Sequence, residues 1–335
     1  MARPLKTYSH LADLPRKPSR YDVATTALHY RVSHPSFEVD VPIAAWYRQH
    51  QQGSLLQSAQ WETFVDPRQT DYTAYVRLQQ GQEAHVDGVL RSIEESNYDR
   101  DLPAAAHALT ERLLTPLRYP FHGLQMVAAY VGQMAPASRI TIAALLQAAD
   151  ESRRIQRVAY RMAQIRLVRP SFGDHSLQAW QEDPVWQPLR ELVERLLVTF
   201  DWGEAFVALN VCVKPLLDDL FLAQLPLAAR RREDYLLSQI FSSLSRDCDW
   251  HQQWTAALMA VALPATTTEE DRPDGDPRAG NRPAVENWVS VWWPRAVRAA
   301  EAFRAALGES GGGMIDASKG RALAFIDRLT LRRPS

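Results

Sequence analysis

Metal chemistry in a helical protein starts from a carboxylate and an imidazole one turn apart, because residues i and i+3 share a helix face and can aim two ligands at one ion. The chain has nine histidines, and the residues three positions before them are Thr7, Thr26, Arg31, Tyr47, Gln82, Ala104, Tyr119, Phe172 and Cys248. None is a carboxylate. The Glu-x-x-His pair that a carboxylate-bridged two-iron bundle requires on each of two helices is therefore absent in its required form. Two places keep the outline of that motif without its ligands. In Asp150-Glu-Ser-Arg-Arg154, the position three after Glu151 holds Arg154, whose guanidinium stays protonated and has no lone pair to give. In Asp247-Cys-Asp-Trp-His251, the position three before His251 holds Cys248. Glu151 and Arg154 read as a same-face ion pair worth about 0.3–0.5 kcal/mol if exposed. His251 reads as a hydrogen-bonded histidine of a helical interior.

The other candidates have plainer explanations. Glu204, in Trp202-Gly-Glu-Ala-Phe206, falls in the first turn of an apolar helix, where the dipole and the unpaired N–H groups favour a carboxylate. The run Arg230-Arg-Arg232 is followed at once by Glu233-Asp234 and reads as a solvated helix start rather than a nucleic-acid patch. Trp288, Trp292 and Trp293 at helical spacing read as core or interface packing. There is no G-x-G-x-x-G, G-x-x-x-x-G-K-[ST], G-x-S-x-G or H-E-x-x-H. No catalytic, cofactor-binding or metal-binding residue is assigned on this reading. The competing possibility is an autonomous helical metalloenzyme with a non-standard carboxylate site around Glu151, Glu204, Asp249 and His251.

The elements that would have to position such residues are helices. With 335 residues and an apolar fraction of 46%, the chain can bury a large core. Its 38 basic and 39 acidic residues leave a net charge of -1, which gives no electrostatic case for nucleic acid, a membrane surface or a charged substrate. Two distant cysteines, Cys212 and Cys248, suggest neither a disulfide framework nor a thiolate zinc site, and a cytoplasmic setting fits. The N-terminus has no signal-type apolar run, and the most apolar stretch, 196–222, is interrupted by Asp201, Glu204, Lys214 and Asp218, so neither secretion nor a membrane span is expected.

Residues 1–66 carry many prolines and isolated aromatics, among them Tyr21, Tyr30, Phe37, Trp46, Tyr47, Trp61 and Phe64, with no sustained helical period. This segment reads as an extended N-terminal arm whose aromatics must be covered, and it is expected to pack across a partner subunit. From residue 67 to about 308 the pattern is helical. In 139–167, Ile142, Leu145, Ala149, Ser152, Ile155, Ala159 and Met162 step by three or four and predict the inward face, with Arg153, Arg154, Arg157 and Arg161 on the others. The stretch 200–223 is apolar almost all round and predicts a helix buried on most sides. Further helices are expected over about 234–263 and 284–307, separated by a polar loop at 264–283, of which 266–280 is the most solvated part. Residues 309–335 read as a flexible Gly311-Gly-Gly313 joint and a short terminal helix from Met314 to Leu331. No period-two alternation bounded by hairpin turns appears, and the fold class is all-α.

A set of ordered segments adds a resemblance. Thr7-Tyr-Ser-His-Leu-Ala-Asp-Leu-Pro-Arg-Lys-Pro-Ser-Arg-Tyr-Asp22, Leu28-His-Tyr30, Trp61-Glu-Thr-Phe-Val-Asp-Pro67, Pro116-Leu-Arg-Tyr119, Leu124-Gln-Met126, Gln133-Met-Ala-Pro-Ala-Ser138 and Asp201-Trp-Gly-Glu-Ala-Phe206 with Asn210 and Lys214-Pro215 together resemble the β subunit of the hydroxylase in four-component toluene and alkene monooxygenases. The resemblance runs from about Thr7 to about Leu263, with a weaker trace over 288–303. It implies a ferritin-like bundle related to a catalytic α subunit that carries the two-iron site, which this chain would have lost. The segments at 150–154 and 247–251 fall where a catalytic relative would read Asp-Glu-x-Arg-His, and Glu204 falls near a third ligand helix. The resemblance further implies a complex of two α, two β and two γ subunits. That complex would be served by an effector protein, a Rieske ferredoxin with its iron-sulfur cluster and an FAD reductase fed by NADH, and would insert one oxygen atom of O2 into an aromatic or alkene hydrocarbon.

Overall fold

In the computed structural model, residues 11–334 are described except 13, 27, 29–32, 35, 36, 39, 40, 95 and 264–276. Helices dominate them: α1 (Arg20–Thr25), α2 (Pro42–Tyr47), α3 (Tyr72–Glu94), α4 (Tyr98–Asp101), α5 (Ala104–Leu113), α6 (Arg118–Met134), α7 (Ser138–Arg166), α8 (Ser176–Glu182), α9 (Gln187–Leu197), α10 (Trp202–Val207), α11 (Lys214–Asp219), α12 (Leu225–Arg230), α13 (Tyr235–Ala262), α14 (Asn281–Glu301) and α15 (Gly311–Arg328). One two-residue antiparallel pairing, Ser33–His34 with Phe37–Glu38, is the only sheet among the described residues.

Residues 202–230 form one helical path in which α10, α11 and α12 are joined by π-helical turns at Ala208–Val213 and Leu220–Gln224. Pro215 and Pro226 each stand just after a π turn. A proline lacks the N–H and crowds the carbonyl of the preceding turn, and a locally widened helix relieves both problems. The path is buried on nearly all sides, as its sequence predicts, with Phe206, Leu209, Val213 and Leu216 fully inaccessible. It packs on α13, α14 and α15, while α6 runs along α7 and α13 closes against α3 and α7. Asp201 caps the path by accepting from Glu204 N at 2.9 Å, and Asp234 caps α13 by accepting from Leu237 N at 3.1 Å.

Four expectations change. The inward face of α7 is the arginine face: Arg153, Arg154, Arg157 and Arg161 are buried, whereas Leu145 is 45% exposed and Ala159 faces solvent. Buried charge is tolerated when it is paired, and here each arginine has a carboxylate. Arg153 bonds to Glu83 and Asp247, Arg157 to Glu83 and Asp87, and Arg161 to Asp99. Secondly, the segment before residue 67 is not simply extended. It holds α1, α2 and a π turn, and several of its aromatics are covered by this same chain: Tyr21 and Phe64 are buried, Trp61 meets Trp202 edge-on at 5.3 Å, and Trp46 meets Phe200 at 5.0 Å. The side chains of Tyr30 and Phe37 lie outside the described residues.

Thirdly, Gly311-Gly-Gly313 is not a joint but the first turn of α15, and a Cβ at Gly311 would collide with the carbonyl oxygen of Arg304. Finally, Arg230 ends α12 and Arg231 and Arg232 follow in a turn, so the basic run sits at a helix C-terminus, where the dipole favours cations, rather than at a start. The expected loop at 266–280 lies mostly outside the described residues; its end, Pro277–Gly280, is a 3-10 turn leading into α14.

Candidate functional site

Four helices, α3, α7, α11 and α13, bring a buried polar cluster together in the middle of an apolar core. From α7 come Asp150, Glu151, Arg153 and Arg154; from α11, Lys214 and Asp218; from α13, Asp247, Cys248 and His251; from α3, Tyr75, Gln79 and Gln82. Glu151 and Arg154 have no exposure at all, and Lys214, Asp218, Asp247 and His251 are each 5% exposed or less.

The two outlines read from the sequence do meet here, as neighbours across α7 and α13. The ion pair expected between Glu151 and Arg154 forms at 2.8 Å, but fully buried rather than on a surface. Arg154 Nη1 also reaches Asp218 Oδ1 at 2.9 Å, and its Nη2 lies 3.2 Å from Cys248 Sγ. Lys214 Nζ bonds to the same Glu151 Oε1 and to Asp218 Oδ2 at 3.0 Å. Two cations thus hold two carboxylates. On the other side of His251, its Nε2 lies 2.9 Å from Asp150 Oδ2, while Asp150 Oδ1 accepts from Tyr75 Oη and Gln79 Nε2, both at 2.8 Å. Gln79 and Gln82 also donate to Asp247 Oδ1, which ties the Asp150–His251 pair to Arg153 and Asp247 in one network beside the Glu151–Arg154–Lys214–Asp218 group.

Burial sets the protonation states. It would raise the Asp218 carboxyl, but Arg154 and Lys214 outweigh it and pull its pKa down, so the carboxylate is ionised. Burial would neutralise Lys214 and, with Arg154, lowers its pKa; Asp218 and Glu151 win and keep it an ammonium. Burial and Asp247 push Asp150 well above the usual carboxylate range, and burial, with the two cations behind it, pushes His251 well below the usual imidazole range. The Asp150–His251 pair therefore holds one proton between Oδ2 and Nε2. Burial pushes the Cys248 thiol far up, and the thiolate that a metal would need is disfavoured.

The arrangement has donors but not those of a two-iron centre. A ring nitrogen of His251 and one carboxylate oxygen each of Glu151 and Asp218 lie within 4.8 Å of one another, the one grouping of this kind among the described residues. A carboxylate-bridged pair of irons takes four carboxylates and two imidazoles. Here one imidazole and two carboxylates converge, and the guanidinium of Arg154 and the ammonium of Lys214 stand among them. The residues present do not fit that group.

Of the alternative carboxylate set, only Glu151 and His251 belong to the cluster. Glu204 sits in the first turn of α10, as expected, but its side chain accepts from Trp292 Nε1 at 2.9 Å, and Asp249 faces solvent on α13. Trp288, Trp292 and Trp293 are buried in the core. Lys214 and Asp218 went unselected in the sequence, although they are the polar interruptions of its most apolar helix and their four-residue spacing puts them on one face.

Residues 46–265 match the model of the Methane/Phenol/Alkene Hydroxylase family. Over 307 residues the chain is 38% identical to the hydroxylase component subunit beta of the toluene-4-monooxygenase system of Ectopseudomonas mendocina, covering 90% of each chain. It is 28% identical over 291 residues to an oxygenase component of phenol 2-monooxygenase from Pseudomonas sp. (strain CF600), covering 83% of this chain and 78% of that one. Among solved structures it superimposes on a chain of toluene 4-monooxygenase with toluene bound in the resting active site, with a TM-score of 0.82, 37% identity and coverage of 92% and 99%. A chain of phenol hydroxylase from Pseudomonas sp. OX1 shares the fold with a TM-score of 0.79 at 21% identity, over 95% of this chain and 92% of that one.

Proposed function

The chain belongs to the Methane/Phenol/Alkene Hydroxylase family, and from that membership we propose that it is the non-catalytic β subunit of the hydroxylase in a soluble, multicomponent monooxygenase. In this reading the ferritin-like domain is residues 67–308, preceded by an N-terminal arm, 1–66, and followed by a C-terminal segment, 309–335, that carries a short helix. The two-iron centre resides on an α subunit, in a complex with two copies each of α, β and γ. A reductase carrying FAD and a Rieske ferredoxin deliver electrons from NADH, an effector protein acts on the complex, and an aromatic or alkene hydrocarbon is oxidised. The setting is the cytoplasm; no helix among the described residues is long and apolar enough to cross a membrane.

The observation that carries the non-catalytic role is the double occupation of Glu151 and Asp218 by Arg154 and Lys214. Carboxylates already paired with protein cations have no charge deficit for a divalent ion to fill, and displacing a buried guanidinium would leave it unpaired at a cost of several kcal/mol. Glu151, His251 and their neighbours therefore hold the helices together and touch neither substrate nor metal.

The role is tested by co-expressing the chain with its α and γ partners and following hydrocarbon oxidation per assembled complex. His251→Gln should support turnover equal to the unaltered chain once assembly is normalised. A loss of turnover in complexes of full stoichiometry and full iron content would overturn the reading.

A further inference from the structure

His251 and Glu151 each keep one polar atom without a partner, although both residues are more than nine-tenths buried: Nδ1 of the imidazole and Oε2 of the carboxylate. Buried polar atoms are almost always bonded, so these two, in a cluster where Gln79 Oε1 and Arg154 Nε are unpartnered as well, call for an explanation. The other atom of each group is firmly held, Nε2 against Asp150 and Oε1 against Arg154 and Lys214. A void of about 10 Å³ lies beside His251, with Lys214, Asp218 and Cys248 also in its wall. It is room for about one water molecule.

We propose that Glu151, Asp218 and His251 form a latent site for one divalent cation, which the ammonium of Lys214 closes. The geometry has the parts such a site needs. Three donors converge within 4.8 Å, two of oxygen and one of nitrogen, a mixed set that suits Zn2+, Co2+ or Fe2+ better than Mg2+ or Ca2+. A histidine ligand is oriented when its second ring nitrogen donates to a carboxylate, and Asp150 stands in that position, fixed in turn by Tyr75 and Gln79. Binding through Nδ1 takes the imidazole tautomer whose hydrogen is on Nε2, directed at Asp150. What prevents binding is charge. Lys214 Nζ touches one oxygen of Glu151 and both oxygens of Asp218, the two carboxylates that an ion would bridge.

Lys214 rather than Arg154 is the gate. Lysine brings a compact point charge on a flexible stem, and Lys214, unlike Arg154, lines the void together with His251. Removing it leaves Glu151 and Asp218 facing Arg154 alone, an unmatched negative charge in the interior. A divalent ion supplied from solution would restore the balance and give both orphan atoms a partner. The proposal builds on the reading that the unaltered chain holds no metal of its own.

The test is gain of metal binding by the full-length chain. The unaltered protein, Lys214→Ala and Lys214→Ser are purified after chelator treatment, titrated with Co2+ and read by metal content after desalting, by visible absorption and by melting temperature. The expected result is one Co2+ per chain in the Lys214 variants against a trace in the unaltered protein, a metal-dependent rise in melting temperature in the variants alone, and loss of both when Asp218→Asn or His251→Gln is added. Should the variants emerge unfolded, they are refolded with and without Co2+. Metal-dependent recovery supports the site, and failure to recover in either condition for both variants overturns it. Folded variants that stay metal-free also overturn it while leaving the subunit role intact, whereas stoichiometric metal in the unaltered chain overturns the subunit role.

Discussion

Arg154 and Lys214, on different helices, share both of their carboxylate partners, Glu151 and Asp218, with Arg154 Nη1 and Lys214 Nζ converging on a single oxygen of Glu151. The four side chains form a closed quartet of two positive and two negative charges in a region with almost no solvent access. Such a quartet is balanced only as a whole, because the desolvation of each charge is offset by its partners and not by water.

Removing one member should therefore be costly. Arg154→Met is expected to destabilise the chain by about 3–5 kcal/mol, the cost of leaving a buried carboxylate short of its partner. Glu194→Ala, which breaks the exposed pair with Arg190, should cost less than about 1 kcal/mol. Urea unfolding of the two variants separates the cases; equal and small losses would show that the quartet is not energetically distinct from surface pairs.

Asp22 provides a pH dependence of known sign. It closes a capping box with Ser19 at the start of α1 and also receives Arg16 at 2.7 Å and Arg139 at 3.0 Å. Burial would raise its pKa, but the bonds from Arg16 and Ser19 outweigh it and hold the carboxyl at about 2 against its ordinary 3.8. A carboxyl depressed in the folded state adds stability that is complete above the ordinary value and disappears as pH falls through the depressed one. The stability difference between the unaltered chain and Asp22→Asn should be constant from neutral pH down to about 5 and shrink below about 4. A difference that does not vary with pH would mean that Asp22 contributes through shape and not through charge.

Two kinds of helical glycine should respond oppositely to alanine. A Cβ at Gly123 would collide with Val193 Cγ1, because α6 and α9 meet there at close range; Gly123→Ala should cost about 1–3 kcal/mol. At Gly81 and Gly88 on α3 a Cβ meets nothing within 4 Å. There alanine should stabilise the isolated chain by about 0.5–1 kcal/mol per site through helix propensity alone. Thermal melts of the three single variants check the signs, and a destabilising Gly81→Ala in the isolated chain would contradict the open geometry.

Much of this was legible in the sequence, and the losses have a common cause. The helical pattern placed α13 to within a residue or two, and the all-round apolar run gave the buried path through α10 to α12. The outlines at 150–154 and 247–251 named one half of the buried cluster. The face of α7 was misjudged because apolar periodicity assumes that charges seek water. Arg153, Arg157 and Arg161 go inward since Glu83, Asp87, Asp99 and Asp247 await them from α3, α4 and α13, partners that the pattern of a single helix does not contain. Lys214 and Asp218 were overlooked for the converse reason. In the apolar pattern they count as interruptions, although a charge in a helix buried all round has no solvated face and must have a partner inside. The aromatics at 61 and 64 show no helical period because Phe64 is buried on its own and Trp61 packs edge-on against Trp202, so no repeating face is involved.

The central claim, that protein cations stand where a metal would otherwise be required, is tested most directly by the iron content of the purified chain after expression alone with ferrous iron in excess. The account predicts iron far below one atom per polypeptide, unchanged by Glu151→Gln or His251→Gln. Stoichiometric iron in the unaltered chain, lost on either substitution, would contradict it.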